Sequence, residues 1–375
     1  MGLRALVLCS DDKVMRVLRR VLSDLDIDAE HCTGPDAAVR KLTRQRFEAV
    51  VVDCEHQPTA ASVLKSVRLA PCNQHAIGVA MLDGTKAVDS AFAMGAHFVL
   101  YKPISAEGAR SSFRAIRALM KCERRRSTRI SIELPVTLSF AKGKEQQKAT
   151  SIDLSEGGMA TRGGRRALAK GPMRVSFALP GNERPITCDA EVAWEDDSAR
   201  AGIRFVDMQG EDRSRLRAWL AAHAPDLESD DPPVAGKLTD LSPGGCYVEL
   251  ATPFPVGTRV TLAMRNGDLQ VKVEGIVRVA HPEAGMGVQF VQATGSQREN
   301  LEQFIHTLIS SRQAAPELEV RPDGMEDAPQ PDSPAHEHGH DPLLDLFYDR
   351  HHLPTEAFLG ELRQQRRGQV AAVEA

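Results

Sequence analysis

The sequence has no C-x-x-C pair, no excess of either charge, no apolar run that could span a bilayer, and no nucleophile–base–acid arrangement in a catalytic context. Each absence removes a class of protein. The seven cysteines (Cys9, Cys32, Cys54, Cys72, Cys122, Cys188 and Cys246) are scattered and odd in number, which argues against a disulfide framework and a zinc site and fits a reducing compartment. Lys and Arg total 47 against 51 Asp and Glu, so no chain-wide field draws the protein to nucleic acid or to a membrane. The longest apolar runs, such as Ala49 to Val52, are strand-sized. Met1 to Cys9 is apolar but too short for a secretory signal, and Ser10-Asp11-Asp12 ends it. No Ser-His-Asp, Cys-His, P-loop or paired-carboxylate site is recognisable. The expectation is a soluble cytoplasmic protein that is not an enzyme and has no catalytic residue.

What is present is enough apolar matter for several cores. With 375 residues, 42% of them apolar and 26% charged, the chain is globular in composition and too long for one ordinary domain. From Met1 to about Met120, β-rich runs (Leu6 to Leu8, Ala49 to Val52, Ile77 to Leu82, Phe98 to Leu100) alternate with helical patterns such as Val14, Val17, Leu18, Val21 and Leu22. That alternation predicts a doubly wound α/β domain. A helix beginning near Ala106 runs on into the basic stretch Lys121 to Arg129. From Ile130 to about Val206 strands follow one another without helices, and then a helix carries Leu216, Trp219 and Leu220 on one face. This predicts a small antiparallel barrel with a helical cap.

The barrel text then recurs. Asp153-Leu154-Ser155-Glu156-Gly157-Gly158 returns as Asp240-Leu241-Ser242-Pro243-Gly244-Gly245, and Ala201-Gly202-Ile203-Arg204-Phe205-Val206 returns as Met286-Gly287-Val288-Gln289-Phe290-Val291. A spacing of about 85 residues marks a tandem duplication. The second copy is expected to end in a helix with Leu301, Phe304, Ile305, Leu308 and Ile309 on one stripe. Beyond Ser311 the chain is rich in Pro, Asp, Glu and His, apart from a short amphipathic stretch near Leu343 to Leu362, and is expected to be a disordered tail. Its His336-x-His338-x-His340 run lacks the fixed geometry a metal site needs.

Arg125 and Arg129 stand at R-x-x-x-R spacing before the first barrel strand, and Asp153, Ser155 and Gly158 form D-x-S-x-x-G after the hairpin that follows. Either motif alone is compatible with a basic linker or a hairpin turn. Together, over Glu123 to Ala222, they make this segment resemble the PilZ domain family, whose members bind cyclic di-GMP. The resemblance implies a ligand site of Arg125, Arg129, Asp153, Ser155, Gly157 and Gly158. The residue types suit the ligand: guanidinium forks match phosphate oxygens and the O6/N7 edge of guanine, and Asp and Ser can accept from its amino and imino protons. Glycines let a loop approach a flat base closely. The second copy keeps Asp240, Ser242 and Gly245, but Ala222 to Ala235 holds no arginine, so it is expected to be a degenerate domain kept for packing or partner binding.

The first domain resembles the receiver domain of two-component response regulators over Gly2 to Met120. Asp53 matches the phospho-acceptor and Lys102-Pro103 the lysine–proline pair, and the resemblance implies a pocket of Asp11 and Lys102 with Mg2+ on Asp11 and Asp53. Three positions depart from the pattern. One acidic residue falls on Ser10, the hydroxyl residue that would bond the phosphoryl group falls on Asp83, and the aromatic switch falls on Val99. A pseudo-receiver used for dimerisation or docking is therefore expected.

The domains expected are thus a receiver-like domain over 1–121, a PilZ domain with the complete motif over 122–224, a degenerate copy over 225–312, and a disordered tail over 313–375. The expected function is that of a cyclic di-GMP receptor with no required cofactor, acting on an unidentified downstream protein, with a homodimer compatible and neither nucleic acid nor membrane as partner. A ligand-independent scaffold and a phosphorylation-driven regulator are the alternatives.

Overall fold

The computed structural model describes residues 2–70, 72–140, 145–163, 172–181, 184–196, 200–223, 231–291, 295–310, 316–325, 341–349 and 353–373. The His336, His338 and His340 run lies outside them. The chain divides into two compact units, residues 1–122 with 230–375, and residues 123–229.

Short β-branched runs build the first domain. Leu3–Leu8 (β1), Ile27–Cys32 (β2), Ala49–Asp53 (β3), Ile77–Leu82 (β4) and Phe98–Tyr101 (β5) form a parallel sheet in the order β2-β1-β3-β4-β5. Asp12–Asp24 (α1), Pro35–Arg44 (α2), Gln57–Leu69 (α3), Val88–Ala93 (α4) and Ala106–Ser127 (α5) are its helices. Alternation along each strand feeds two apolar layers. Ala5, Val7 and Val51 pack with Leu18 and Phe113, while Leu6, Val50 and Val52 pack with Val63 and Leu64. A sheet buried on both faces explains the unbroken apolar text of β3. The strand order reverses between β1 and β3, so the crevice of this doubly wound fold opens at the carboxyl end of β3, where Asp53 stands.

In the second unit, Ile130–Ser131 (β6), Pro135–Phe140 (β7), Glu145–Ser155 (β8), Gly158–Arg162 (β9), Met173–Phe177 (β10), Ile186–Glu195 (β11) and Arg200–Met208 (β12) form a barrel. Six strands close the ring in the order β8-β7-β10-β11-β12-β9 through the β8–β9 pairing, and β6 adds to β8. Leu138, Val175, Ile186 and Ile203 fill it, and the helix Gly210–His223 (α6) buries Leu216, Trp219 and Leu220 against it.

The second barrel, in the other unit, joins Val234–Leu241 (β13), Gly245–Glu249 (β14), Thr258–Asn266 (β15), Leu269–His281 (β16), Gly285–Phe290 (β17) and Glu317–Met325 (β18), with the helix Gly295–Ser310 (α7) before β18. Its ring order is β13-β14-β17-β16-β15-β18. The slot that β7 fills in the first barrel, between β8 and β10, is filled here by β18, between β13 and β15. The sixth strand thus comes from after the closing helix rather than from before the motif strand. The second barrel is a permuted copy of the first.

That arrangement corrects the expectation of a barrel ending at 312 and a disordered tail from 313. Glu317-Leu318-Glu319-Val320 alternates, with Leu318 and Val320 buried in the barrel. Beyond it, Pro342–Asp349 (α8) and Thr355–Val373 (α9) bury Leu343, Leu344, Leu346, Phe347, Phe358 and Leu362 in a cluster with Tyr247 and Val279. A polar average concealed local periods of two and 3.6. On α7, Leu301 and Phe304 are buried as expected, but Ile309 is exposed.

The receiver-like domain and the second barrel share an apolar cluster, in which Leu119, Met120 and Cys122 of α5 join Leu238, Val260 and Leu318. Lys121 Nζ lies 2.7 Å from Asp231 Oδ1, and Cys122 Sγ donates to Pro322 O at 3.2 Å. All seven cysteines are free thiols. Among the described residues, no helix is long and apolar enough to cross a membrane.

Candidate ligand-binding site

In the first barrel, one arginine of the first motif meets the aspartate of the second. Arg129 precedes β6, and its Nη1 donates to Asp153 Oδ1 at 2.6 Å. Asp153 lies at a bulge in the β8–β9 ladder, where the same carboxylate oxygen accepts from Ala160 N at 2.9 Å. The arginine is about half exposed, at 46% of its side chain, so the pair sits at the surface. Such pairs contribute ~0–1 kcal/mol, which leaves the guanidinium available to an incoming anion at small cost.

The loop between β8 and β9 is held from three sides. Ser155 Oγ donates to Gly158 O at 2.9 Å, Phe205 N donates to Gly157 O at 3.0 Å, and Arg217 Nη2 on α6 reaches Glu156 Oε1 at 2.6 Å. Ser155 is 2% exposed, so its hydroxyl serves the turn. A Cβ on Gly158 would stand 2.2 Å from Ile203 O, and one on Gly157 would stand 3.3 Å from Arg126 O. Close backbone approach therefore accounts for Gly158, while a side chain at Gly157 would meet a tight but adjustable contact.

Arg125 is placed differently from Arg129. It lies in the last turn of α5 and is buried, 7% exposed, whereas Arg129 has left the helix. The structure therefore brings Arg129, Asp153 and the glycine loop together and keeps Arg125 inside. Trp194 on β11 is 44% exposed and lies over Gly202 of β12, where a Cβ would stand 2.1 Å from the indole nitrogen.

The second barrel repeats the turn without the arginine. Ser242 Oγ contacts Gly245 O at 3.2 Å, Phe290 N donates to Gly244 O at 2.8 Å, and a Cβ on Gly245 would stand 2.6 Å from Val288 O. Asp240 Oδ2 accepts from Thr239 Oγ1 at 2.8 Å, where the first barrel has an arginine.

The PilZ domain family matches residues 123–222 and 224–307. These two segments are PilZ domains. No curated protein matches the chain. Among solved structures, the chain is similar to the PilZ domain of CeSA from a cellulose-synthesizing bacterium, at 19% identity over 26% of this chain and 97% of that one, with a TM-score of 0.22. It is also similar to an inhibitor of motility from Bacillus subtilis, at 19% identity over 27% of this chain and 51% of that one (TM-score 0.23). The receiver domain of a sensor histidine kinase from Pseudomonas aeruginosa is similar at 18% identity over 32% of this chain and 98% of that one (TM-score 0.29). These are likenesses of parts. The receiver-like assignment stands on the strand order and on the placing of Asp53.

Around Asp53 the receiver-like pocket is tightly paired. Lys102 Nζ lies 2.8 Å from Asp53 Oδ1 and 3.9 Å from Asp83 Oδ2, and Cys9 Sγ is 3.7 Å from Asp53 Oδ2. Burial works to lower the Lys102 pKa, but the hydrogen bond and charge of Asp53, helped by Asp83 and Glu55, prevail and raise it above the ordinary lysine value. Burial, and then the Asp53 charge, push the Cys54 thiol up to about 11, so it is no nucleophile at neutral pH. Asp11 caps α1, accepting from Lys13 N at 2.7 Å and Val14 N at 3.3 Å, and those donors hold its carboxyl below the usual range.

The Mg2+ implied for Asp11 and Asp53 fits this pocket poorly. Asp11 is committed to its helix, Ser10 supplies no charge, and the Lys102 ammonium already neutralises Asp53. Among the described residues, no cluster of three His, Cys, Asp or Glu could hold a metal.

Two features escaped the sequence reading. One is the hold of Glu156 and Arg217 on the motif loop. The other is the covering of the second domain's loop by α8, whose only signal was the amphipathic stretch near Leu343.

Proposed function

We propose that the protein is a cytoplasmic cyclic di-GMP receptor that binds the messenger in its first PilZ domain and passes the event on through altered protein contacts. The Arg129–Asp153 pair carries this reading. It joins the second arginine of R-x-x-x-R to the aspartate of D-x-S-x-x-G at the surface, beside a loop fixed by Ser155, Glu156 and Phe205. A dianionic ligand offers Arg129 a phosphate in place of Asp153, a charge-assisted contact stronger than the surface pair it replaces. Asp153 is then released toward guanine N–H donors while Ala160 N still holds its position.

Arg125 joins the site only if the end of α5 rearranges. Its burial supports a reading in which ligand binding changes the helix end, and that change is the output. The receiver-like domain is read as a docking domain, because Asp83 takes the position of the hydroxyl residue that would bond a phosphoryl group and places a second carboxylate 3.9 Å from the Lys102 ammonium. Calorimetric titration of the full chain with cyclic di-GMP tests the reading, with one bound ligand expected and no heat at high micromolar ligand overturning it.

A further inference from the structure

The motif loop of the second PilZ domain is covered by the chain's own C-terminal helices. Asp341 Oδ2 accepts from Gly244 N at 3.0 Å, while its Oδ1 accepts from Leu343 N at 3.1 Å and Leu344 N at 3.4 Å and so caps α8. One carboxylate thus ends the helix and seats it on the loop. Leu344 lies over Gly244 and Gly245, where added Cβ atoms would stand 2.6 and 3.1 Å from it, and Phe347 lies over Gly287 at 2.6 Å. Tyr348 hydroxyl donates to Gln289 Oε1 at 2.7 Å, an oxygen that Arg278 Nε also reaches at 2.7 Å. Behind α8, Phe358 of α9 packs on Tyr247 and His281 with centroid separations of 5.9 and 4.4 Å, and Gln365 Nε2 ties α9 to Pro342 O at 3.0 Å.

By the sequence repeat, Gly244, Gly245 and Gly287 are the counterparts of Gly157, Gly158 and Gly202. The covered face is therefore the one that carries the motif loop and Trp194 in the first domain. The second domain has lost the arginines and gained Tyr247 in place of Ala160, so its face has exchanged anion recognition for an apolar seat. Three glycines give a helix close access to backbone, Leu344, Phe347 and Tyr348 are anchors at i, i+3 and i+4, and an acidic cap meets a loop N–H. That is helix-in-groove recognition.

We propose that the second PilZ domain is a receptor for a short acidic amphipathic helix, a place occupied in cis by α8 with its cap Asp341 and backed by Phe358 of α9. Residues 326–340 join this segment to β18, so the cis helix is present at high effective concentration and holds the face against competitors. The nucleotide-binding reading of the first domain is not required, and each proposal can fail without the other.

A fluorescein-labelled synthetic peptide of residues 341–365 is the probe, titrated by anisotropy against the full chain and against its Leu344→Asp, Phe347→Asp double variant. The variant is expected to bind at least tenfold more tightly than the unaltered chain, because its own helix no longer competes. A labelled peptide carrying the same two substitutions is expected not to bind. Equal binding by the two chains, or no binding by a variant that keeps a cooperative melt, overturns the proposal. Should the double variant fail to fold, Asp341→Ala with Tyr348→Phe leaves the apolar anchors in place, removes the α8 cap together with the loop and Gln289 hydrogen bonds, and should still raise probe affinity severalfold. No gain there overturns the proposal equally.

Discussion

Arg129 and Asp153, 24 residues apart, meet at 2.6 Å on the surface of the first PilZ barrel, where β6 pairs with β8. The aspartate also holds Ala160 N, so it is positioned by the sheet whether or not the arginine is present. The arginine is the movable partner and the aspartate the fixed one.

Arg129→Ala should therefore weaken cyclic di-GMP binding ten- to a hundredfold or more, since a charge-assisted phosphate contact is lost while the anion must still be desolvated. Stability should change by less than ~1 kcal/mol, because the pair is exposed. Calorimetry with a parallel thermal melt checks both. A large fall in melting temperature would mean that the arginine is structural.

Gly158→Ala and Gly245→Ala test the reading that these glycines serve barrel closure. Each added methyl meets a strand carbonyl, Ile203 O at 2.2 Å or Val288 O at 2.6 Å, and should cost ~2–3 kcal/mol of overpacking. Both tryptophans, Trp194 and Trp219, lie in the first PilZ unit. Gly158→Ala should lower the tryptophan-monitored transition, and Gly245→Ala should lower only the transition seen by circular dichroism. If neither moves, close approach is not what the glycines provide.

Much of this was readable from residue order, and the exceptions are physical. Short apolar, β-branched runs marked four of the five strands of the parallel sheet and missed β2, whose middle residues are polar, and the joint spacing of Arg129 and Asp153 pointed to two residues that the structure brings together. The structural tasks of Ser155 and Gly158 could not be read, because a hydroxyl and a glycine beside a ligand motif look the same in sequence whether they face a base or a strand carbonyl. Burial of Arg125 was invisible for a similar reason, since an arginine-rich helix end reads as solvated. The strand Glu317–Met325 was hidden by its Pro- and acid-rich surroundings, although Glu317 to Val320 alternates plainly, while the helix Pro342–Asp349 showed only as an amphipathic stretch with no visible seat.

Asp53 should label weakly with acetyl phosphate. Lys102 is already engaged at 2.8 Å, and Asp83 places a second anion 3.9 Å from the same ammonium. Ser10→Asp together with Asp83→Thr should raise the labelling by supplying a carboxylate and removing the repulsion. Strong labelling of the unaltered chain at Asp53 would contradict the docking-domain reading.

Stability should decline below neutral pH. Burial holds His281 down to about 4, and burial with the Arg68 guanidinium holds His97 down to about 3, against an ordinary 6.5. Both rings are neutral when folded and take up a proton on unfolding below pH 6.5, so the unfolded chain gains protons and stability falls as pH drops from 6.5 toward 4. For His281 alone the loss reaches ~3 kcal/mol by pH 4. Urea midpoints at pH 7, 5.5 and 4.5 measure it, and His281→Gln should flatten the slope. A midpoint independent of pH would contradict the buried, neutral assignment.

The central claim is that one of two homologous barrels holds the messenger, and the measurement that tests it most directly is the stoichiometry of cyclic di-GMP binding in the full chain and in an Asp240→Ala, Ser242→Ala variant. Binding at a single barrel predicts saturation by one ligand unit per chain and a change of less than ~1 kcal/mol in the variant, the scale of a turn residue outside the site. Saturation at both barrels, or a loss in the variant as large as that from Arg129→Ala, would contradict it.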